Sequence, residues 1–417
     1  MWQALDIDGW VERNRGALRS VRAPVQEIVE MVRSRGDDAL IELTERFDRI
    51  KVPSVQVPQE DIGAAYGKVD PALVAHLQKA AANIERFHRL QMEAQNWTRE
   101  VEPGIRLGIR LLPLDRVGVY VPGGRASYPS TALMCVIPAK VAGVPVVAVC
   151  TPPPVNPLTL VALDIAGADE VYQVGGAQAV AAMALGTRTV KKVSKVVGPG
   201  NVYVTEAKLM LRDQVEIDFP AGPSEVLVIA DDGARAEFVA AEILAQSEHD
   251  PNSACLLVTT SALLAQEVGR AIEARASESP RRGILEQSLR NAGYVLVRDL
   301  EEAANVSDRV APEHLSIQTR DPLATLERIH SAGSIFLGPY SPVAAGDYAS
   351  GTNHVLPTAG YPRTLSGLDV RHFCKATSVQ MIERDGLARL APIIEGLANA
   401  EGLVEHARSV RVRLRDG

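Results

Sequence analysis

At 417 residues the chain is long enough for two or three domains with sizeable cores. Its formal charge of −7, without a basic stripe or aromatic–basic interleaving, argues against a nucleic-acid partner. Residues 1–20 are too polar for a signal peptide, and the most apolar long stretch, 131–150, contains Pro138, Lys140 and Pro145. A cytoplasmic protein with no membrane partner is therefore expected. Cys135, Cys150, Cys255 and Cys374 form no CxxC pair and read as buried thiols of a reducing compartment.

In chain order, residues 1–23 form an arm of weak pattern. Pro24 then opens an amphipathic helix reaching about Phe47, with Val25, Ile28, Val29, Val32, Leu40 and Leu43 on its apolar positions. Asp70 and Pro71 have the character of an N-cap and first helical residue, for a helix running to about Trp97.

From Gly104 the rhythm changes. Ile105, Leu107, Ile109 and Leu111 alternate with polar or small residues, as in a half-buried strand. Short β-branched runs follow at 117–122, 144–150, 170–174 and 192–197, most of them leading through Gly or Pro into a helical pattern. That alternation predicts parallel strands with crossover helices. Glycine turns stand at three strand ends: Pro122-Gly-Gly, Gly175-Gly-Ala-Gln and Gly198-Pro-Gly-Asn. Such turns let backbone amides approach a phosphate at the carboxyl ends of the strands. No turn completes GxGxxG, because Tyr203 stands where the third glycine would follow Gly198 and Gly200.

A second α/β rhythm begins after residue 225. Its strands are predicted at 226–230, 254–259, 293–297 and 334–337, with helices near 234–247, 261–276, 299–306 and 321–331. The segment 339–363, rich in Gly, Pro, Ser and Thr, reads as loop. A strand near 375–382 and a helical tail from about Asp385 close the chain.

Four clusters carry candidate chemistry. In residues 241–251 a helical pattern ends with Gln246, Glu248, His249 and Asp250 ahead of Pro251. Residues three apart on a helix lie about 60° apart, so Gln246 and His249 share a face. An imidazole with an amide or carboxylate oxygen suits a borderline divalent metal such as zinc. Ala311-Pro-Glu-His places Glu313 beside His314 just before a β-like run, two proton-transfer groups of different pKa. A loop offers Asp347 and His354, and the tail offers Glu401 and His406. The last two point about 140° apart on an ideal helix, so spacing alone does not join them. Each cluster taken singly also fits a solvated helix end, a satisfied histidine or a loop hydrogen bond; their joint occurrence beside glycine turns favours an enzyme.

The chain resembles the histidinol dehydrogenase family over nearly its whole length, most clearly at 115–406. The resemblance rests on Ile217-Asp-Phe-Pro-Ala-Gly-Pro-Ser-Glu-Val, Val174-Gly-Gly-Ala-Gln, Gly198-Pro-Gly-Asn, Ala311-Pro-Glu-His and Gly346-Asp-Tyr-Ala-Ser-Gly-Thr-Asn-His-Val-Leu-Pro, in that family's order. The N-terminal arm and residues 208–216 match least.

The resemblance implies a zinc- and NAD-dependent, four-electron oxidation of L-histidinol to L-histidine by way of L-histidinal, the last step of histidine biosynthesis. It implies one zinc per subunit, held by Gln246, His249, Asp347 and His406, the last from the partner in a homodimer. Glu313 and His314 match the catalytic pair: Glu313 to activate water, His314 to accept the hydroxyl proton. Tyr120, Gln178 and Asn201 match NAD contacts. Ser224, His354 and Glu401 match substrate contacts, together with His314 and the four metal ligands.

The expected architecture is α/β: two incomplete Rossmann-like parallel-sheet domains with a helical N-terminal region and a helical C-terminal tail. Its expected parts are an arm (1–23), a helical region packing with the second α/β domain (24–104), an NAD-side domain (105–225), a metal and catalytic domain (226–375) and a tail reaching the partner's site (376–417). The competing expectations are a related dehydrogenase of another polar alcohol and a non-catalytic, zinc-stabilised binding protein. The retained Glu313–His314 pair argues against the last.

Overall fold

The computed structural model of the chain describes residues 2–15, 21–92, 96–123 and 127–415. Gly124 of the Pro122-Gly-Gly turn and residues 16–20 of the arm lie outside these. Contacts divide the chain into two units, Met1–Gln91 with Leu114–Phe373, and Met92–Pro113 with Cys374–Gly417.

The N-terminal arm has more structure than its weak pattern predicts: Ala4 bridges to Tyr294, and α1 spans Ile7–Arg15. The single helix predicted from Pro24 to Phe47 is two, α2 (Arg22–Arg35) and α3 (Asp37–Asp48). Gly36 breaks it with φ of 55°, a left-handed conformation that costs glycine little. A short helix α4 (Gln59–Ala65) follows, then α5 (Pro71–Gln91). Asp70 caps α5 as expected, its Oδ1 accepting the Ala72 N–H at 2.8 Å. The helix ends before Trp97, which instead opens a strand.

That strand, β1 (Trp97–Glu102), and β2 (Ile105–Pro113) belong to the smaller unit. Then the first parallel sheet begins: β3 (Arg116–Tyr120), α6 (Pro129–Ala142), β4 (Val146–Thr151), α7 (Pro157–Ala166), β5 (Glu170–Gln173), α8 (Gly176–Leu185), β6 (Lys195–Val197), α9 (Val202–Met210) and β7 (Glu216–Ile217). Its strand order is β5-β4-β3-β6-β7, with every pairing parallel. β7 escapes the sequence pattern because only two residues pair.

The second sheet repeats the plan with β8 (Glu225–Ala230), α10 (Ala236–Ser247), β9 (Ala254–Thr259), α11 (Ala262–Glu278), α12 (Arg282–Ser288), β10 (Ala292–Leu296), α13 (Leu300–Val310), β11 (His314–Gln318), α14 (Pro322–Leu326) and β12 (Ser334–Leu337). Its order, β10-β9-β8-β11-β12, is topologically the same as the first. Each sheet is half of a doubly wound fold, with its strand order reversing beside the first strand. A short helix α15 (Val343–Tyr348) follows inside the stretch predicted as loop.

Both sheets have a covered edge. Val55 and Val57 exchange backbone hydrogen bonds with Gln173 and Val171 beside β5, and the Ala4 bridge lies beside β10. Covering removes unpaired edge groups that would otherwise recruit foreign strands. The sequence predicts that residues 24–104 pack with the second α/β domain. Instead, the buried side chains of α2 and α3, among them Val25, Leu40 and Leu43, share one core with Tyr172, Ala177, Val180 and Val204 of the first sheet's layer. The second sheet's faces are filled by Val239, Ile243, Val268 and Ile272 on one side and Trp10, Ala303 and Val310 on the other.

In the smaller unit, β13 (Cys374–Ile382) pairs antiparallel with β2, and β1 pairs antiparallel on the other side. α16 (Arg384–Ala400) and α17 (Val404–Arg415) complete it, so the Arg/Val alternation of the tail is helical. No described helix is long and apolar enough to cross a membrane. Cys135, Cys150 and Cys255 are buried as expected, and burial pushes their thiols up; Cys374 is half-buried.

Candidate active site

Tyr120, Gln178 and Asn201 gather at the carboxyl end of the first sheet. Tyr120 ends β3, and its phenol oxygen accepts the Gly176 N–H at 3.1 Å, which fixes the start of α8 two residues before buried Gln178. Burial pushes the phenol up to about 12, so it stays neutral. Asn201 caps α9, its Oδ1 accepting from Tyr203 at 3.0 Å and Val204 at 3.2 Å. Gly198, with φ of 114°, brings its turn against β3: a Cβ there would stand 2.2 Å from the Tyr120 carbonyl. The turn is held from below by a buried ion pair of Lys208 and Asp218. Lys208 donates to the Gly198 carbonyl at 3.0 Å, and the Gly198 N–H donates to Asp218 at 2.8 Å. Two helix N-termini, α8 and α9, thus open beside the strand-order reversal, an arrangement suited to the phosphates of a dinucleotide.

The second sheet presents its amino end instead. Half-buried Ser224 precedes β8, and Glu313 and His314 enter β11, the neighbouring strand. The Glu225 N–H donates to Glu313 Oε2 at 2.8 Å, and the Glu225 carbonyl accepts from His314 Nδ1 at 3.0 Å. Glu313 Oε2 lies 3.5 Å from the same Nδ1. Because the carbonyl can only accept, the Nδ1 carries hydrogen. His314 Nε2 is buried with no hydrogen-bond partner among the described residues, and it faces Asp347 Oδ1 at 3.8 Å. Burial pulls the imidazole down, but Glu313 and Asp347 outweigh it and hold it up at about 9.

Asp347 sits in α15, which is pinned to α10: Glu242 Oε2 accepts the Val343 N–H at 3.0 Å. Glu242 stands one helical turn before buried Gln246, so the same face of α10 carries both. Burial pushes the Glu242 carboxyl up, and Asp347 adds to it. His249 lies exposed just past the helix, its N–H turned back to the Gln246 carbonyl at 3.3 Å.

His354 joins this group from the following loop. Its Nδ1 donates to the Asp347 carbonyl at 2.9 Å, leaving Nε2 to accept from Thr131 Oγ1 at 3.3 Å. Burial holds the ring below its usual range, hence neutral. Thr131 belongs to α6, which follows β3, so the carboxyl end of the first sheet meets the amino end of the second at this contact. The loop is anchored by Asn353, which donates to the Met134 carbonyl at 2.7 Å.

Glu401 and His406 lie in the smaller unit, exposed at the end of α16 and in the first turn of α17. Among the described residues no three His, Cys, Asp or Glu side chains converge to hold a metal. The expected ligands within the larger unit are one imidazole, one carboxylate and the Gln246 amide. An oxygen–nitrogen donor set of this kind, next to an imidazole nitrogen left unpartnered in a buried site, fits zinc chemically.

Sequence reasoning missed Glu225, Glu242 and Thr131. Glu242 carried a signal, its i,i+4 relation to Gln246; Glu225 and Thr131 act through strand register and loop packing, which no local pattern displays.

The histidinol dehydrogenase family model matches residues 11–414. A histidinol dehydrogenase of Methanothermobacter thermautotrophicus is 53% identical over 415 residues, covering 98% of this chain and 97% of its own. One of Methanosarcina barkeri is 52% identical over 405 residues, covering 96% and 94%. The crystal structure of histidinol dehydrogenase from Elizabethkingia anophelis superposes with a TM-score of 0.95 at 38% identity, covering 99% of this chain and 97% of that one. The two repeated half-Rossmann sheets, the site between their ends and this agreement over whole chains lead to one conclusion: the chain belongs to the histidinol dehydrogenase family of oxidoreductases.

Proposed function

We propose that the chain oxidises L-histidinol through L-histidinal to L-histidine in the cytoplasm, with zinc and two NAD, as the last step of histidine biosynthesis. The observation that carries this is the buried Glu313–His314 pair with an unpartnered Nε2 directed at Asp347. It supplies two proton-transfer groups in one water-poor site. Family membership supports the substrate.

Gln246, His249 and Asp347, with His406 from a second copy, would hold one zinc per subunit. Tyr120, Gln178 and Asn201 would hold NAD on the first sheet. When bound, zinc supplies a fixed cation that anchors the substrate's imidazole and amine and offsets the Asp347 charge, and NAD supplies a hydride acceptor.

The chain's own residues then divide the work. His314 accepts the hydroxyl proton at Nε2 as the alcohol is oxidised. With the Asp347 charge engaged, one of the influences that holds this ring protonated is reduced. Glu313 takes a proton from water attacking the aldehyde while His314 returns its proton to the aldehyde oxygen, and the ring, free again at Nε2, accepts the hydroxyl proton of the resulting hydrate in the second oxidation. Ser224, His354 and the second copy's Glu401 orient the polar substrate. Neutral His354, held at both nitrogens, presents a fixed ring surface rather than a second charge.

A homodimer is supported by the smaller unit's surface. Ile393 and Leu397 are 60% and 61% exposed, and Leu403, Val404, Val379 and Met381 are exposed with them. That much exposed apolar side chain calls for a covering partner. The test is NADH formation by zinc-loaded protein from L-histidinol and a panel of other polar alcohols, with and without chelator. Turnover confined to L-histidinol and abolished by the chelator is expected; turnover of another alcohol in preference would overturn the substrate.

A further inference from the structure

We propose that Glu225 is a positioning residue for the Glu313–His314 pair, fixing both side chains through its main chain and the strand start through its buried carboxyl group. This rests on the roles proposed above for Glu313 and His314. Glu225 is the first residue of β8, and His314, the first of β11, pairs with the next residue, Val226. That register places the Glu225 peptide groups opposite both catalytic side chains. Its N–H binds Glu313 Oε2 at 2.8 Å and its carbonyl binds His314 Nδ1 at 3.0 Å. One residue therefore sets the carboxylate's orientation and, once the ring is neutral, the imidazole's tautomer, so that the Nε2 lone pair is then directed into the site.

The side chain secures this arrangement. Glu225 is 4% exposed, and its Oε1 accepts the Ala359 N–H at 3.2 Å. Close by, Thr358 Oγ1 accepts the Gly222 N–H at 2.5 Å. The loop after His354 is thereby fastened to the segment that leads into β8. The titratable groups that face Glu225 are His314, the first residue of β11, and Glu313 just before it. Two carboxyl groups buried side by side do not both ionise readily. Burial, with Glu313 second, pushes Glu225 up to about 8, so Glu225 keeps a proton at neutral pH. Its Oε2, buried without a partner among the described residues, is tolerable in a neutral acid and costly in an anion.

An unfolded Glu225 would ionise near its ordinary 4.5, whereas the folded one retains its proton to about 8. Its stabilising contribution is thus complete below the unfolded value and is lost as pH rises through the folded value.

The experiment compares Glu225→Gln, Glu225→Ala and Glu313→Gln in the zinc-loaded enzyme. It reads kcat and KM for L-histidinol against pH, and the melting temperature from pH 5 to pH 9. Glu225→Gln, a mimic of the neutral acid, should stay within about threefold of wild-type kcat, and Glu225→Ala should lose about 100-fold in kcat with KM little moved. Wild-type kcat should fall above about pH 8 where the Gln variant's does not, and the Gln variant's melting temperature should gain on wild type between pH 5 and pH 8. If Glu225→Ala does not fold, the pH behaviour of Glu225→Gln still decides. Equal loss in the Gln and Ala variants, or identical pH responses of Glu225→Gln and wild type, would overturn the proposal while Glu313→Gln remains inactive. Full turnover in Glu313→Gln would overturn the reading of Glu313 and this proposal with it.

Discussion

At Glu313 and His314 the proposed division of labour, taken from the family resemblance, is compatible with what each atom already touches. His314 Nδ1 is committed to the Glu225 carbonyl, so only Nε2 is available to a substrate proton. Glu313 has one oxygen, Oε2, held by the Glu225 N–H, and the proposed water-activating role would use the other. Under the proposed roles, Glu313→Gln should slow conversion of L-histidinal to L-histidine by about 100-fold or more, while His314→Asn should slow L-histidinol oxidation as well. Feeding each intermediate separately and following NADH checks this; unchanged histidinal oxidation by Glu313→Gln would remove its water-activating role. The adjacency of these two residues was readable in Ala311-Pro-Glu-His. Their anchoring was not, because it depends on β8 lying beside β11, residues 88 and 89 apart in sequence.

At the scale of elements, the glycine turns show how far pattern reaches. Gly198-Pro-Gly-Asn was recognisable as a ligand-side turn, but its support from Lys208 and Asp218 was not, since a lysine in a helix ordinarily reads as a solvated face. Here the pair is fully enclosed, with side chains 4% and 1% exposed. Replacing Lys208 with Met would leave Asp218 charged and uncompensated, and should cost about 3–5 kcal/mol. A urea titration should show the midpoint fall, with much of it restored in Lys208→Met/Asp218→Asn; an unchanged midpoint would mean that the pair holds nothing together. Other elements were misread for identifiable reasons. Apolar positions on both sides of Gly36 keep helical spacing, so the break appears only in its left-handed φ. α15 was hidden by a composition rich in Gly, Pro and Ser, although its six residues carry Asp347. Ligands were expected at strand carboxyl ends, which suits the first sheet, whereas the second gathers Ser224, Glu313 and His314 at its amino end.

For the whole molecule, alternation of strands and helices announced two α/β units, but not that both wind in the same order. Strand order depends on which buried faces match in space, and the two halves share topology without an exact sequence repeat. Exchange of tails between copies is likewise beyond spacing, since Glu401 and His406 stand on a helix end and the next helix's first turn. The proposed dimer makes a clear demand. Gln246→Ala and His406→Ala should each be inactive alone, yet co-expressed they should form mixed dimers with one intact site, restoring about a quarter of wild-type activity. Absence of any recovery in verified mixed dimers would place His406 with its own chain's ligands or outside the site.

The central claim is a four-electron oxidation carried through one site, and its most direct test is stoichiometric. Zinc-loaded protein given limiting L-histidinol and excess NAD should form two NADH per histidinol, with L-histidine as product and no free aldehyde. One NADH per histidinol, with aldehyde released, would contradict the account, for it would leave the second oxidation and the role of Glu313 without a basis.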